Sequence, residues 1–374
     1  MPRPSQLDSL ARVAPLLRGL LAEPASDADF PFRPPVLNAT AGKTGSRGAL
    51  QIDPAGQNET DDALRSRLAA AIQGYRAESK ANPEIISVAG LGAFQTVKPK
   101  AKPGHDPRLA GRIALVTGAA GAIGYGICRG LLERGAHVAI TDLPGERLDN
   151  FIAEFRKQDA DRVLGVPLDV TDAKSVAGAF AKISATWGGV DMVVINAGIA
   201  LTGPLMEIDL EAFRRLERVN VEGALLVLAE AGRHFARQKI GGDVILISTK
   251  NVFAPGAGFG AYSATKAAAH QLARIASLEL APLGVRVNMV APDAVFSGGA
   301  HKSGLWAEVG PGRMKARGLD EKGLEEYYRN RNLLKARVTA EHVANAVLFF
   351  ATRQTPTTGA CIPVDGGLPD ATPR

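Results

Sequence analysis

The sequence predicts an α/β protein: a doubly wound parallel sheet of about seven strands, preceded by an N-terminal extension that is mostly helical or irregular. Three observations lead there. From residue 113 onward, short apolar runs alternate with helix-forming stretches. A glycine-rich turn, Thr117-Gly118-Ala119-Ala120-Gly121-Ala122-Ile123-Gly124, lies between the first run and the first helix. The runs also end on polar residues, Asp142, Asp169, Asn196 and Ser248, at the carboxyl ends where such sheets bind ligands.

Each element has its own signal. Ile113 to Val116 is continuously apolar, as a central strand buried on both faces should be. The helix that follows runs through Leu132 and stops at Gly135. His137 to Thr141 is the second strand and ends at Asp142, 24 residues after Gly118. A helix near 145–158, the strand Val163 to Leu168, a helix near 172–186 and the strand Asp191 to Ile195 continue the alternation. That last strand runs into Asn196-Ala197-Gly198, and the strand Asp243 to Ile247 into Ser248 and Thr249. In a Rossmann-type turn the glycines let backbone N–H groups and a helix N-terminus approach a pyrophosphate. Asp142 is placed to accept hydrogen bonds from ribose hydroxyls and to repel a 2′-phosphate, which favours NAD over NADP; a strand-end Asp that caps the next turn is the plainer reading.

Composition narrows the function classes. The chain has 374 residues, 46% hydrophobic and 22% charged, as in a globular protein with a full core. Its net charge of +6 divides evenly, because residues 1–104 hold 13 Lys/Arg and 10 Asp/Glu against 31 and 28 in the rest. With no basic stripe and 5% aromatics, nucleic acid is not an expected partner. The histidines never form a near pair, so no metal site is expected, and Cys128 and Cys361 read as free thiols. No signal-peptide core or membrane-length apolar run occurs, so a cytoplasmic location and no membrane contact are expected.

The extension, residues 1–104, divides from a main domain at 105–374 through the linker Lys98 to Gly104. Leu7 to Leu21 reads as an amphipathic helix interrupted by Pro15 and Gly19. Pro24 to Thr60 reads as an irregular connection. Asp61 to Tyr75 reads as a second helix, capped by Asp61 or Asp62 and burying Leu64, Leu68, Ile72 and Tyr75; Ile85 to Val88 reads as a short strand. Gly42-Lys43-Thr44 is not a phosphate loop, because Leu37 stands where that motif needs a glycine. The extension is expected to serve packing or oligomer contact and no catalysis.

Tyr262 and Lys266, four apart in a helix-forming run, share one helix face. An ammonium so placed is expected to pull the phenol below its usual pKa of about 10, fitting it to move a proton at a carbinol oxygen.

With these motifs in place, residues 108–367 resemble the short-chain dehydrogenase/reductases. The glycine loop matches that family's Thr-Gly-x-x-x-Gly-x-Gly except that Ala122 replaces the middle glycine. Asn196-Ala197-Gly198, Asn220, Tyr262/Lys266 and Val364-Asp365-Gly366-Gly367 match as well. The resemblance implies a catalytic set of Asn220, Ser248 or Thr249, Tyr262 and Lys266. Counting thirteen residues back from Tyr262 reaches Thr249, yet Ser248 is slightly preferred for the chemistry. Asn220 would anchor a relay water, a purely structural asparagine being the alternative, and Lys266 would hold the cofactor ribose. The implied cofactor residues are Thr117, Gly118, Ala120, Ala122, Ile123, Gly124, Asp142 and Leu143 from the first half. Asp169, Val170, Asn196, Ala197, Gly198, Tyr262, Lys266, Pro292, Ala294 and Val295 complete them. A homodimer or homotetramer through helices near 207–236 and 261–281 is also implied.

Ser248 to Gly256, Pro292 to Phe296 and Tyr327 to Lys335 are similar to the dehydrogenase half of rhamnulose-phosphate aldolase/lactaldehyde dehydrogenase fusions, as Ala63 to Phe94 is to their junction. No histidine precedes His105, so aldolase activity is expected to be absent. The charged, aromatic stretch Ser297 to Lys335, which should close over the site as a lid, favours a small hydroxylated or anionic substrate; Lys250 could reach such a substrate or be a solvated or structural lysine. The leading reading is an NAD-dependent oxidoreductase of a small sugar, polyol or 2-hydroxyaldehyde. An NADPH-dependent carbonyl reductase and a non-catalytic nucleotide-binding scaffold are the alternatives.

Overall fold

A computed structural model describes residues 4–40 and 48–369; Gly42-Lys43-Thr44 lies outside them. The central sheet contains seven parallel strands: β5 (Ile113–Val116), β6 (His137–Asp142), β7 (Val163–Pro167), β8 (Met192–Ile195), β9 (Gly242–Ile247), β10 (Val285–Pro292) and β11 (Cys361–Val364). Their spatial order is β11-β10-β9-β8-β5-β6-β7. The order reverses between β5 and β8, where Val116 lies opposite Val194, and the crevice at such a switch point takes a ligand.

Helices cover both faces, which is why the inner strands are apolar throughout. On one side, α3 (Ala122–Glu133), α4 (Glu146–Gln158) and α11 (Ala340–Ala351) pack through Ile127, Phe155 and Val347. On the other, α5 (Ala173–Trp187), α7 (Gly223–Gln238) and α8 (Gly260–Glu279) pack through Phe180, Phe235 and Ala273. Between α6 (Leu210–Glu217) and α7 the chain makes a π-helical turn, Arg218–Glu222, that carries Asn220. After β10 the helices α9 (Gly304–Arg317) and α10 (Glu321–Asn330) form the lid stretch.

The extension is more ordered than its sequence suggests. The expected irregular segment contributes β1 (Val36–Thr40) and β2 (Leu50–Ile52) to a four-stranded sheet with β3 (Ile85–Val88) and β4 (Gly92–Val97), in the order β1-β4-β3-β2. With α1 (Pro4–Leu21) and α2 (Asp61–Ser79) it builds its own core around Leu17, Leu37, Leu68 and Phe94. Helix α1 continues through both Pro15 and Gly19. Gly19 is there for close approach: a Cβ on it would lie 2.0 Å from the Gln238 carbonyl oxygen. The cap of α2 is Thr60, not Asp61 or Asp62, because its hydroxyl accepts the Ala63 N–H. Asp61 instead pairs with Arg12 and Arg237, at 2.9 and 2.7 Å. Tyr75 is only partly buried, and its hydroxyl donates to the Gly48 carbonyl.

A buried ion pair joins the extension to the amino-terminal end of a sheet strand. Arg18, fully buried, donates to both carboxylate oxygens of Asp191 at 2.7 and 2.8 Å and to the Pro35 carbonyl at 2.8 Å. Asp191 also accepts the Ile113 N–H at 2.8 Å. Nearby, Arg353 bridges Asp243 at 2.8 Å and donates to the Asp29 carbonyl. Among the described residues no helix is long and apolar enough to cross a membrane.

Candidate active site

The glycine turn works through close contact. Gly118 has φ +58°, and a Cβ on it would come within 2.6 Å of Ala197 Cα. Its partner loop is fastened by Thr117, whose hydroxyl accepts the N–H groups of Asn196 and Ala197 at 3.0 and 3.1 Å. Asn196 returns the contact, donating from its amide to the carbonyls of Thr117 and Gly118 at 3.0 and 2.7 Å. Gly124 is equally constrained, since a Cβ there would stand 2.3 Å from the Ala119 carbonyl oxygen. Ala122 fits without conflict, its methyl buried at the first position of α3.

A groove of about 600 Å³ opens over this turn. Gly118, Ala122, Ile123 and Gly124 line its start, and Asp142, Leu143, Asp169 and Val170 its strand-end wall. Asn196, Ala197 and Gly198 line the far end. Thr117 and Ala120 are buried behind it: Thr117 acts as the loop clamp, and the Ala120 N–H donates to Asp142 at 2.9 Å. Asp142 also accepts the Leu143 N–H, so part of its carboxylate is a turn cap. Asp169 accepts both the N–H and the hydroxyl of Thr171.

These residues fit a nicotinamide dinucleotide. Helix α3 begins at Gly121 with no side-chain cap, leaving its first N–H groups for an anion, and the glycine cradle is a space that Cβ atoms would fill.

The groove meets a second cavity of about 140 Å³, and Ile123, Asn196, Gly198, Ser303 and Leu305 line both. Ser248, Thr249, Tyr262 and Lys266 line this second cavity, as do Pro292, Ala294 and Val295. Burial pushes the Tyr262 phenol up to about 12, opposed only by a hydrogen bond from Thr249. The expected depression by Lys266 is therefore not found. The Lys266 ammonium donates instead to the Ile247 carbonyl at 2.7 Å, and burial draws it down to about 8.

The two candidate hydroxyls have different partners. Ser248 Oγ lies 2.9 Å from His270 Nδ1, whereas Thr249 faces Tyr262. Asn220 is fully engaged as well: its Oδ1 accepts the Ile199 N–H at 3.0 Å, and its Nδ2 donates to the Ile199 carbonyl and to Thr265 Oγ1. Its side chain thus ties the π-helical turn to the loop after β8. Lys250 is buried at the cavity wall and donates to the Ala254 carbonyl at 3.0 Å.

Comparison with known proteins agrees with this geometry. The family model for short chain dehydrogenases matches residues 112–308. The chain belongs to the short-chain dehydrogenase family. It is 37% identical over 265 residues to the uncharacterized oxidoreductase YuxG of Bacillus subtilis, covering 70% of this chain but 38% of that protein. It is 35% identical to (-)-isopiperitenol/(-)-carveol dehydrogenase of Mentha piperita, over 70% of this chain and 94% of that one. Sorbitol-6-phosphate 2-dehydrogenase SrlD from Erwinia amylovora, a solved structure, aligns with a TM-score of 0.63 at 28% identity, covering 68% of this chain and 98% of that one.

As a short-chain dehydrogenase, this protein is an oxidoreductase acting on CH–OH groups, and its family binds a nicotinamide cofactor. Two residues at the site escaped the sequence reading. His270 extends the Tyr262/Lys266 stripe by one more step of four, a spacing that was available to find it. Arg313, which lines the cavity from α9, had no such signal.

Proposed function

We propose that the protein is an NAD-dependent dehydrogenase of a small hydroxylated compound, a sugar, polyol or 2-hydroxyaldehyde. The observation that carries this reading is the convergence of Thr249, Tyr262 and Lys266 in a buried cavity continuous with the dinucleotide groove. Bound nicotinamide would supply the hydride chemistry. Tyr262 exchanges a proton with the substrate oxygen, and Thr249 holds that oxygen and the phenol in line. Lys266, anchored on the Ile247 carbonyl, is the residue to hold the ribose. Asn220 positions the Ile199 backbone through both of its side-chain polar atoms. Ser248, paired with His270, supports Thr249 from behind.

Asp142 on the groove wall supports NAD. One observation favours NADPH instead: Arg147 also lines the groove and forms no ion pair among the described residues. We read the finer likeness to the aldolase-fused dehydrogenases from the motifs Ser248 to Gly256, Pro292 to Phe296 and Tyr327 to Lys335 alone. We read residues 1–104 as a non-catalytic appendage, because its Arg18 and Asp29 pair with Asp191 and Arg286 at the strand ends opposite the site. Exposed Leu225 on α7 and Ile275 and Leu278 on α8 support a homo-oligomer through those helices.

The test is Tyr262→Phe. Turnover should fall by at least about 10²-fold while NADH still binds, as removal of an acid/base group requires. Turnover that survives the substitution would refute the mechanism, and a wild-type protein that binds NADH yet oxidises or reduces nothing would favour the scaffold reading.

A further inference from the structure

The lid brings two arginines to the wall of the reaction cavity, and they are not equivalent. Arg331, just beyond α10, is ion-paired with Asp293, which follows β10. Arg313 on α9 forms no ion pair among the described residues; it donates to the Tyr328 hydroxyl at 3.5 Å. Both guanidiniums are held flat by rings, Arg313 4.7 Å from the Phe259 centroid and Arg331 4.2 Å from that of Tyr328. Trp306, Phe296 and Tyr328 pack against one another behind them.

All of Arg313, Arg331, Asp293, Tyr328 and Phe259 line the same cavity as Thr249 and Tyr262. The Nε atoms of both arginines are sealed from solvent and donate to nothing. Buried donors are nearly always satisfied, so the two unspent Nε–H groups mark guanidiniums whose donor capacity is free to be taken up once a small shift turns them to an acceptor in the cavity. Charge points the same way: Asp293 compensates Arg331, leaving the lid wall one positive charge in excess at Arg313. A planar guanidinium fixed by stacking is suited to bind an oxyanion through paired N–H bonds.

We propose that Arg313, aided by Arg331, forms an oxyanion subsite, so that the substrate is a hydroxylated compound bearing a carboxylate or a phosphate. The inference rests on the dehydrogenase reading for its reacting hydroxyl, but the subsite stands on the lid geometry alone. Carboxylate and phosphate share the recognising chemistry, and the relatives' names do not choose between them.

The test uses matched probes: gluconate against sorbitol, lactate against propane-1,2-diol, and sorbitol 6-phosphate against sorbitol. Binding is read in the NADH-loaded Tyr262→Phe protein through fluorescence of Trp306, which lines the cavity and is one of two tryptophans. The charged member of at least one pair should bind about tenfold or more tightly than its neutral partner. Arg313→Gln should abolish that preference, and Arg313→Lys should restore part of it. Equal binding of charged and neutral members, no response to any charged probe, or a preference that survives Arg313→Gln overturns the proposal. The gluconate and phosphate arms show which oxyanion is preferred. Should charged probes bind while wild-type enzyme turns over none of the compounds, the dehydrogenase reading fails and the subsite remains.

Discussion

Replacing Arg18 with methionine tests how the extension is held. Methionine keeps most of the buried stem and removes the guanidinium, so the loss is chiefly electrostatic. Burial alone would raise the Asp191 carboxyl, but Arg18, then Arg112 and the Ile113 amide, outweigh it and hold it below the usual carboxylate range. Breaking a buried pair by removing one partner costs roughly 3–5 kcal/mol. Arg112 remains 3.7 Å from Asp191 and the Ile113 N–H still donates, which places the expected loss at the lower end, about 3 kcal/mol. With a urea slope near the upper small-protein value of about 3 kcal/mol per M, the midpoint of equilibrium unfolding should fall by about 1 M. The sign with pH follows from the depressed carboxyl. Its contribution is present above the unfolded-state pKa of about 3.9 and is lost as pH falls through the folded value. The gap between wild type and Arg18→Met should therefore be full at neutral pH and narrow below about pH 4. Adding Asp191→Asn should recover part of the loss by removing the stranded charge. A single variant within about 0.5 kcal/mol of wild type, or a double variant worse than the single, would refute the argument.

Two further outcomes follow from the site itself. Gly118→Ala should weaken NADH binding, measured by fluorescence titration, because its methyl would collide with Ala197 2.6 Å away and spread the two clamped loops. In the cofactor-free protein, an ultraviolet titration of wild type minus Tyr262→Phe should show no tyrosinate from this residue below about pH 10, given a phenol pushed up to about 12. A difference signal rising between about pH 7 and 9 would mean that Lys266, not burial, governs Tyr262.

The central sheet was legible because strands buried on both faces are written as plain apolar runs, such as Ile113–Val116 and Met192–Ile195. The Tyr262/Lys266 pair and the glycine turn were legible because their chemistry depends on local spacing. What depended on distant packing was not. Strands β1 and β2 are short, and their partners lie dozens of residues away, as with Leu50 against Ile86. Nothing local marks Arg18 as a buried clamp, since Asp191 is 173 positions off. The same holds for the direction of the Tyr262 shift, which burial decides. Ser248 and Thr249 were adjacent candidates until His270, 22 residues on, paired with one of them.

The most direct measurement of the central claim is nicotinamide reduction followed by absorbance, with sugars, polyols, hydroxy acids and L-lactaldehyde as substrates and with NAD and NADP compared. The account predicts turnover with NAD on a small hydroxylated compound, abolished in Tyr262→Phe and sharply reduced in Thr249→Ala. Turnover confined to NADP would overturn the role given to Asp142. No turnover with either cofactor, in a protein shown to bind NADH, would contradict the claim that this cavity is a dehydrogenase active site.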